Sequence, residues 1–286
     1  MLSSDTMIPD VVQIITQLEV GLSQIKPNWI EGIYLTGSIT MDDFHPQKSD
    51  VDFVVLYNEL PTQEIINQLI DLHYSIQKLH SKPVLNGIYL TRQNLQANNL
   101  TVGQVIHFQD GKLTQGPFEM GAITLYELKT TAYTMTGTPL SQLPIDIDLA
   151  HIKRFMHANI NSYWQRWLTK HSSLLGRKGL LVLFPILTEW GVLGIVRQLY
   201  TLKQGKIVSK RVAGVHCLEE ISSLYQPIIE EALQIRINIP TWTNLSLKNI
   251  YTIRPSWQRA TLTIACMQYL IDEFNKLYLS QIGREV

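Results

Sequence analysis

The stretch Ile33–Leu56, IYLTGSITMDDFHPQKSDVDFVVL, determines how the rest of the chain is interpreted. It reads as two strands joined by a Gly37-Ser38 turn and a polar segment, with Asp50 and Asp52 at the entrance of the second strand. Because successive side chains of a strand alternate between its faces, the two aspartates are predicted to point to the same side. Two carboxylates placed in this way can hold one hard cation.

The acidic pair and the glycine turn together predict a site for a metal-bound nucleoside triphosphate. Magnesium is typically bound by one or two carboxylates together with phosphate oxygens of the substrate. Gly37 lets the backbone approach a phosphate, and Ser38 adds a hydroxyl donor next to a helix N-terminus. We therefore predict Asp50 and Asp52 as catalytic metal ligands, and Gly37 and Ser38 as nucleotide-binding residues. The alternative is that the aspartates only cap the turn before the strand.

This arrangement resembles a known family. A strand, then Gly37-Ser38, then a polar segment, then Ser49-Asp50-Val51-Asp52 on a hydrophobic strand is similar to the nucleotidyltransferase core of the DNA polymerase beta superfamily. The resemblance implies transfer of a nucleoside monophosphate from Mg²⁺-bound triphosphate to a hydroxyl group.

Composition limits the partners of the chain. The 286 residues are 45% hydrophobic and 17% charged, which is typical of a globular protein long enough to bury a sizeable core. Lys+Arg and Asp+Glu both total 24, so no global field attracts a nucleic acid or an anionic membrane. We expect small-molecule partners, no nucleic acid, no membrane, and a monomer or homodimer.

Cysteine usage and the N-terminal sequence bear on the compartment. Cys217 and Cys266 lie far apart without metal-ligand spacing, which suits two free thiols in a reducing compartment. The N-terminal residues show no basic region followed by an apolar run, and no stretch approaches about 20 apolar residues. We expect a cytoplasmic protein.

Periodicity predicts an N-terminal domain with helices over a sheet whose other side carries the carboxylates. Beyond the two central strands, the expected elements are helices at 9–25, 61–79 and 125–135, a strand at 84–90, and a hairpin around Asp110-Gly111. After a Pro-containing stretch at 138–148 the pattern becomes helical, with helices at 149–168, 187–203, 210–222, 227–235 and 257–279. The predicted fold is an α+β nucleotidyltransferase domain with a mixed sheet, residues 1–140, followed by an all-α helical bundle, residues 141–286.

The segment 190–236 carries a second resemblance. The residues that carry it are Arg197, Tyr200, the Gly205-Lys206-Ile207 turn, Lys210 and the Tyr225-Gln226-Pro227 step. With these residues the segment resembles the C-terminal helical domain of the streptomycin/spectinomycin adenylyltransferases. That resemblance implies that Arg197 and Lys210 bind ATP phosphates across an interdomain cleft. A guanidinium inside an apolar helix needs an anionic partner, so the alternative for Arg197 is an ion pair with a glutamate of the helical domain.

One residue departs from the pattern of that family. Many relatives carry a third carboxylate on the next strand, where this chain has Asn86 followed by Gly87. An amide can orient a hydroxyl but cannot accept its proton at neutral pH, so the general base is left open. The alternatives that the sequence offers are His107, Asp110, Glu119 and Glu189.

The acceptor is predicted from the same resemblance. Aminoglycosides are polycations whose binding needs carboxylates and an aromatic or amide surface, which points to Asn86, Glu189 and Trp190. The expected activity is AMP transfer from Mg-ATP to an aminoglycoside-like hydroxyl, an antibiotic-resistance activity. Another hydroxylated metabolite remains open as the acceptor. The alternative function is a nucleotide-binding protein that senses or sequesters a ligand without turnover.

Overall fold

The computed structural model describes residues 8–96, 104–109, 111–117, 121–172, 182–238 and 256–283. The chain divides into two compact units, Met1–Asp148 and Leu149–Val286. The predicted boundary between functional domains at residues 140 and 141 stays a prediction.

The first unit is built on one mixed sheet, and its described strands are β1 (Ile30–Leu35), β2 (Val51–Tyr57), β3 (Leu85–Leu90), β4 (Gln104–Gln109), β5 (Lys112–Pro117) and β6 (Tyr133–Gly137). Their order is β5-β4-β3-β2-β1-β6. Only β2 and β3 run parallel; the other neighbours are antiparallel. The β4–β5 pair confirms the predicted hairpin, with Gly111 at a φ of +74° in its turn.

Helices α1 (Pro9–Ile25) and α2 (Gln63–Leu79) cover one face of this sheet. Helix α2 joins the parallel strands β2 and β3, since a parallel pair needs a crossover connection. The core under the two helices contains apolar side chains of both helices and of alternate strand positions: Val11, Ile14, Leu18, Leu69, Ile76, Ile33, Leu35, Val51, Phe53, Val55 and Tyr89. Because Val51 and Phe53 face the helices, Asp52 points to the opposite face, as the sequence predicted.

The predicted helix at 125–135 is wrong in its second half. Helix α3 is Gly121–Thr130, and the chain then enters β6, which pairs antiparallel with β1. The amides of Thr131 and Ala132 both donate to the Glu127 carbonyl at 2.9 Å, which closes the helix. Pairing with the edge of β1 satisfies the backbone groups of β6, and this tertiary pairing outweighs the local helical pattern.

The second unit is helical. Its described helices are α4 (Leu149–Asn159), α5 (Gln165–His171), α6 (Pro185–Gln204), α7 (Lys210–Glu220), α8 (Gln226–Asn238) and α9 (Ser256–Ile282). Helix α6 packs against α7, α8 and α9. It is apolar on most sides, as expected of a central helix. The mixed sheet with flanking helices, followed by a helical region, confirms the predicted fold class.

The helix predicted at 149–168 is interrupted. A π-helical turn, Ile160–Trp164, separates α4 from α5, and the amide of Gln165 reaches back to the carbonyl of Ile160. The widened turn inserts one residue and so changes the direction in which the following aromatic side chains point. Among the helices that the structure describes, none has both the length and the apolar character needed to cross a membrane.

Candidate active site

The Gly37-Ser38 turn meets Asp52 of the acidic pair between the end of β1 and the start of β2. The amide of Thr36 donates to the carbonyl of Asp52 at 3.0 Å. Gly37 has a φ of +70°, and a Cβ built on it would lie 2.1 Å from Oδ2 of Asp52. The Asp52 carboxylate therefore occupies the space that a side chain at position 37 would need, so both the backbone conformation and the contact require glycine.

A short polar loop links the two halves of the motif. Residues Gly37–Met41 form a 3₁₀-helix, and Ser38 is partly exposed at its start. The amide of Asp43 donates to the Ser38 carbonyl at 3.2 Å, and the amide of Ser49 donates to the His45 carbonyl at 2.7 Å. These backbone hydrogen bonds connect the loop to Ser38 at one end and to Ser49, the residue before Asp50, at the other.

Sequence reasoning missed two polar residues of this loop. The Asp43 side chain is fully buried, and its Oδ1 lies 3.5 Å from Nε2 of His45. The signal for Asp43 was weak, because Asp42 and Asp43 look alike in the sequence and only Asp43 is buried.

The strand register places Asn86 beside the acidic pair. Asp52 of β2 is the direct partner of Asn86 of β3 in the parallel ladder, and paired residues share a sheet face. The next residue, Gly87, faces the opposite side, where an added Cβ would lie 2.4 Å from the Phe53 ring. The amide of Asn86, not a carboxylate, is therefore the side chain that neighbours Asp52 on this strand.

The four alternatives for the general base differ in their placement. His107 pairs with Ile88, two positions beyond Asn86, and so shares the sheet face of Asp52. Its Nε2 lies 3.1 Å from the Pro117 carbonyl, which can only accept, so Nε2 carries the proton and Nδ1 is the acceptor of the neutral ring. Glu189 is buried in ion pairs of the second unit. Asp110 and Glu119 lie outside the described residues.

The acidic pair fits a magnesium ion by its chemistry. Asp50 and Asp52 are both partly exposed. No group of three or more His, Cys, Asp or Glu side chains in the described ranges is arranged to hold a metal. Two carboxylates nevertheless match Mg²⁺, which keeps several waters and takes its remaining ligands from substrate phosphates.

A cluster of cations lies in the second unit. Oε1 of Glu189 on α6 accepts from Nζ of Lys210 on α7 at 3.2 Å and from Nη1 of Arg236 on α8 at 3.1 Å. Arg197, two turns further along α6, acts electrostatically on Lys210. Burial lowers the pKa of Lys210; Glu189 opposes this shift, and the charges of Arg197 and Arg236 lower the pKa further.

The alternative predicted for Arg197 is not seen where the structure describes the chain. Within those residues the Arg197 guanidinium has no carboxylate at ion-pair distance. It is Lys210 and Arg236 that pair with the glutamate. Arg197 therefore adds a positive charge next to the Glu189–Lys210 pair, which suits an anionic ligand.

Trp190 belongs to an aromatic group around the π-helical turn. Its ring centroid lies 4.5 Å from that of Trp164, 5.5 Å from that of Trp167 and 6.0 Å from that of Tyr163. Trp164 is buried against Gly194, where an added Cβ would lie 2.8 Å from the indole. Tyr163 is 45% exposed and Trp190 is partly exposed, so this group presents an aromatic surface to solvent.

Comparison with known proteins agrees with the geometry of the first unit and with the helices of the second. Residues 15–96 match the family model of the nucleotidyltransferase domain, and residues 187–252 match that of the aminoglycoside adenylyltransferase C-terminal domain. Among curated proteins, none matches the sequence. A crystal structure of spectinomycin adenyltransferase AAD(9) from Enterococcus faecialis with ATP and spectinomycin is similar, with a TM-score of 0.65 at 17% identity, covering 92% of this chain and 98% of that chain.

The first match and the site around Gly37 and Asp52 agree on the class that the first unit resembles: residues 15–96 match a nucleotidyltransferase domain. Within that class the chain resembles the aminoglycoside adenylyltransferases, through the second match and through the shared fold of the spectinomycin enzyme. Both predicted resemblances are thereby confirmed.

Proposed function

We propose that this protein transfers AMP from Mg-ATP to a hydroxyl group of a small, aminoglycoside-like molecule. The observation that carries the proposal is the contact between the Asp52 carboxylate and Gly37, which places one member of the acidic pair at the glycine turn. In the reaction, the acceptor oxygen forms a bond to the α-phosphorus of ATP as the bond to the β-phosphate oxygen breaks. Pyrophosphate leaves, and the hydroxyl proton passes to a base.

Residues of the first unit would hold the metal and part of the triphosphate. Asp50 and Asp52 would bind Mg²⁺, which when bound neutralises phosphate charge and aligns the phosphate oxygens. Gly37 leaves room for the Asp52 carboxylate at the turn, and Ser38 offers a hydroxyl donor to a phosphate. Catalysis of this kind depends mostly on positioning and electrostatics.

Residues of the second unit would supply positive charge. Arg197 and Lys210 are proposed to bind phosphates of ATP and to stabilise charge on the leaving pyrophosphate. The support is the cationic cluster itself, in which Arg197 lacks a carboxylate partner among the described residues. An arginine suits phosphate because its planar fork matches two oxygens at once.

We propose His107 as the general base. Of the described alternatives, it is the one on the sheet face of Asp52 and Asn86, and its Nδ1 is the proton acceptor. Replacing His107 with Asn should lower the rate of pyrophosphate release by about 10² or more, the usual size of general-base assistance, with the affinity for Mg-ATP unchanged. Release at the wild-type rate would exclude His107.

The acceptor is proposed to contact Asn86 and Trp190. Asn86 lies next to Asp52 and can hydrogen-bond a hydroxyl, and the partly exposed Trp190 offers an aromatic face to a sugar ring. Glu189 was predicted to bind the acceptor as well. Its two ion pairs support a different role, which is developed below.

A second candidate function follows from Asn86. An amide in place of a third carboxylate would suit a protein that binds the nucleotide and an acceptor without turnover. Pyrophosphate release from Mg-ATP, measured across a panel of aminoglycosides and other hydroxylated small molecules, separates the two. Acceptor-dependent release supports the transferase. Binding of Mg-ATP without release for any acceptor supports the binding protein.

A further inference from the structure

Glu189, Lys210 and Arg236, here named the Glu189 triad, connect three helices through one oxygen atom. Oε1 of Glu189 accepts from both cations, at 3.2 Å from Lys210 and 3.1 Å from Arg236. The Glu189 side chain is only 7% exposed, whereas Lys210 and Arg236 are 20% and 16% exposed. The carboxylate is thus the innermost member, and the two cations lie nearer to the surface.

This arrangement argues against a carboxylate that recognises a cationic acceptor. A buried charge is tolerated when it is paired, and the partners of Glu189, Lys210 and Arg236, both lie in the same unit as Glu189. Arg197 also favours an anionic ligand, because it adds a positive charge that acts on Lys210 and has no carboxylate at ion-pair distance among the described residues.

We infer that Glu189 is a positioning residue that holds Lys210 and Arg236 toward the triphosphate, and that Arg236 is a further phosphate-binding cation. The inference rests on the proposed function and assigns the polyanion, not the acceptor, to this part of the helical unit. A shared carboxylate fixes two long, flexible side chains at once, so less conformational entropy remains to be lost when phosphate binds.

The electrostatic surroundings of Lys210 support this role. The charged groups that act on Lys210 are Glu189, Arg197 and Arg236, and of these only Glu189 raises its pKa. Without the carboxylate, burial and both arginines would lower that pKa further. Loss of Glu189 should therefore leave the Lys210 side chain less well positioned and a smaller fraction of it protonated.

Titration calorimetry of the full chain with Mg-ATP, and separately with pyrophosphate, tests the inference. Glu189→Gln keeps the shape of the side chain and should weaken both ligands about tenfold or more, as expected when a charge-assisted contact is lost. The matched control is Glu230→Gln on the exposed side of α8, which should stay within about twofold of wild type.

Two outcomes for Glu189→Gln overturn the inference. If Glu189 were only a countercharge, its removal would tighten binding of a polyanion. If it bound the acceptor, the acceptor KM would rise while the affinity for Mg-ATP stayed unchanged. The pH profile gives a further readout. As the pH is raised, the pyrophosphate affinity of Glu189→Gln should begin to fall at a lower pH than that of the wild-type protein.

A double-mutant cycle separates positioning from a general structural effect. In a Lys210→Met, Arg236→Gln background, Glu189→Gln should change pyrophosphate affinity less than about twofold, because its targets are gone. The same tenfold loss in both backgrounds overturns the positioning role. Arg236→Gln alone should weaken pyrophosphate about tenfold, and unchanged affinity removes Arg236 from the site. Should Glu189→Gln fail to fold, Glu189→Asp replaces it, with the same expected direction.

These results are separable from the proposed transfer reaction. Wild-type protein that binds pyrophosphate through the Glu189 triad, but releases none from Mg-ATP with any acceptor, contradicts the transferase and leaves the inference standing. Acceptor-dependent release that persists with unchanged ligand affinity in Glu189→Gln and in Arg236→Gln overturns the inference alone.

Discussion

At the scale of single residues, the glycine at position 37 is the one on which the site depends most directly. Its φ of +70° is a conformation that other residues adopt at a cost of about 1–2 kcal/mol. The Asp52 carboxylate also fills the space of a Cβ there. Gly37→Ala should therefore add a steric conflict to the backbone strain and displace the carboxylate.

Gly111→Ala is the matched control for that substitution, because Gly111 has a φ of +74° with no atom near its Cβ position. We expect Gly37→Ala to weaken Mg-ATP at least about tenfold in calorimetry, as expected when a charged ligand group is misplaced. It should also unfold at lower urea concentration than Gly111→Ala. Equal stabilities and unchanged nucleotide affinity would contradict the role given to the contact.

A second prediction at this scale concerns His73 in the core of the first unit. His73 is fully buried, its Nε2 lies 2.8 Å from the Tyr89 hydroxyl, and its ring stacks on Phe108. Burial lowers the pKa of His73 from 6.5 to about 3. Because the folded-state pKa lies below the unfolded value, the stabilisation is complete above pH 6.5 and is lost progressively as the pH falls toward 3.

Between pH 6 and pH 5 the wild-type protein should lose about 1 kcal/mol of unfolding free energy through this histidine. His73→Phe, which preserves the stacking, should remove that part of the pH dependence while leaving Tyr89 without its partner. Urea unfolding at the two pH values measures the difference. An equal loss of unfolding free energy between the two pH values in both proteins would show that His73 does not cause this pH dependence.

At the scale of elements, the strand register decides which side chain neighbours the metal site. Asn86 lies opposite Asp52, so Asn86→Glu places a third carboxylate on the same sheet face. Because His107 is proposed as the base and Asn86 as an acceptor contact, Asn86→Glu should lower pyrophosphate release while the affinity for Mg-ATP stays unchanged. A rate increase, of the ~10² or more that a general base typically contributes, would mean that a carboxylate at position 86 serves as base and would contradict the role of His107.

The sequence predicts elements well where local signals and packing agree. Helix α1 is predicted and observed over Pro9–Ile25, where proline favours the first turn and apolar residues recur at helical spacing. Strand β6 was predicted as helix, because its sequence gains strand structure only by pairing with β1. The π-helical turn was also missed, since nothing in apolar periodicity marks one inserted residue.

The candidate site, like the secondary-structure elements, was predictable from the sequence only in part. The contact of Gly37 with Asp52 follows from a motif that is contiguous in the chain. The partners of Glu189 do not, because Lys210 and Arg236 come from two other helices and only their packing brings one carboxylate between them. Burial of Asp43, next to the exposed Asp42, likewise depends on how the loop closes.

At the scale of the whole molecule, the proposed chemistry is divided between two kinds of structure. The sheet of the first unit holds Asp52 in its hydrogen-bonded ladder, with Asp50 just before β2 and the Gly37 turn just after β1, and such a rigid element suits a metal site. The helices of the second unit carry the long cationic side chains and a partly exposed aromatic surface. Substitutions in the first unit should therefore abolish metal binding, whereas substitutions in either unit should lower the affinity for phosphate.

The central claim is that Asp50 and Asp52 form a metal-dependent triphosphate site, and calorimetry with ATP in the presence and absence of Mg²⁺ tests it most directly. Asp50→Asn and Asp52→Asn keep side-chain shape but remove a charge, so each should abolish the Mg²⁺-dependent part of ATP binding with little change in unfolding free energy. Asp71→Asn, on the exposed side of α2, is the control and should bind as wild type does. Wild-type affinity for Mg-ATP in both aspartate variants would contradict the claim.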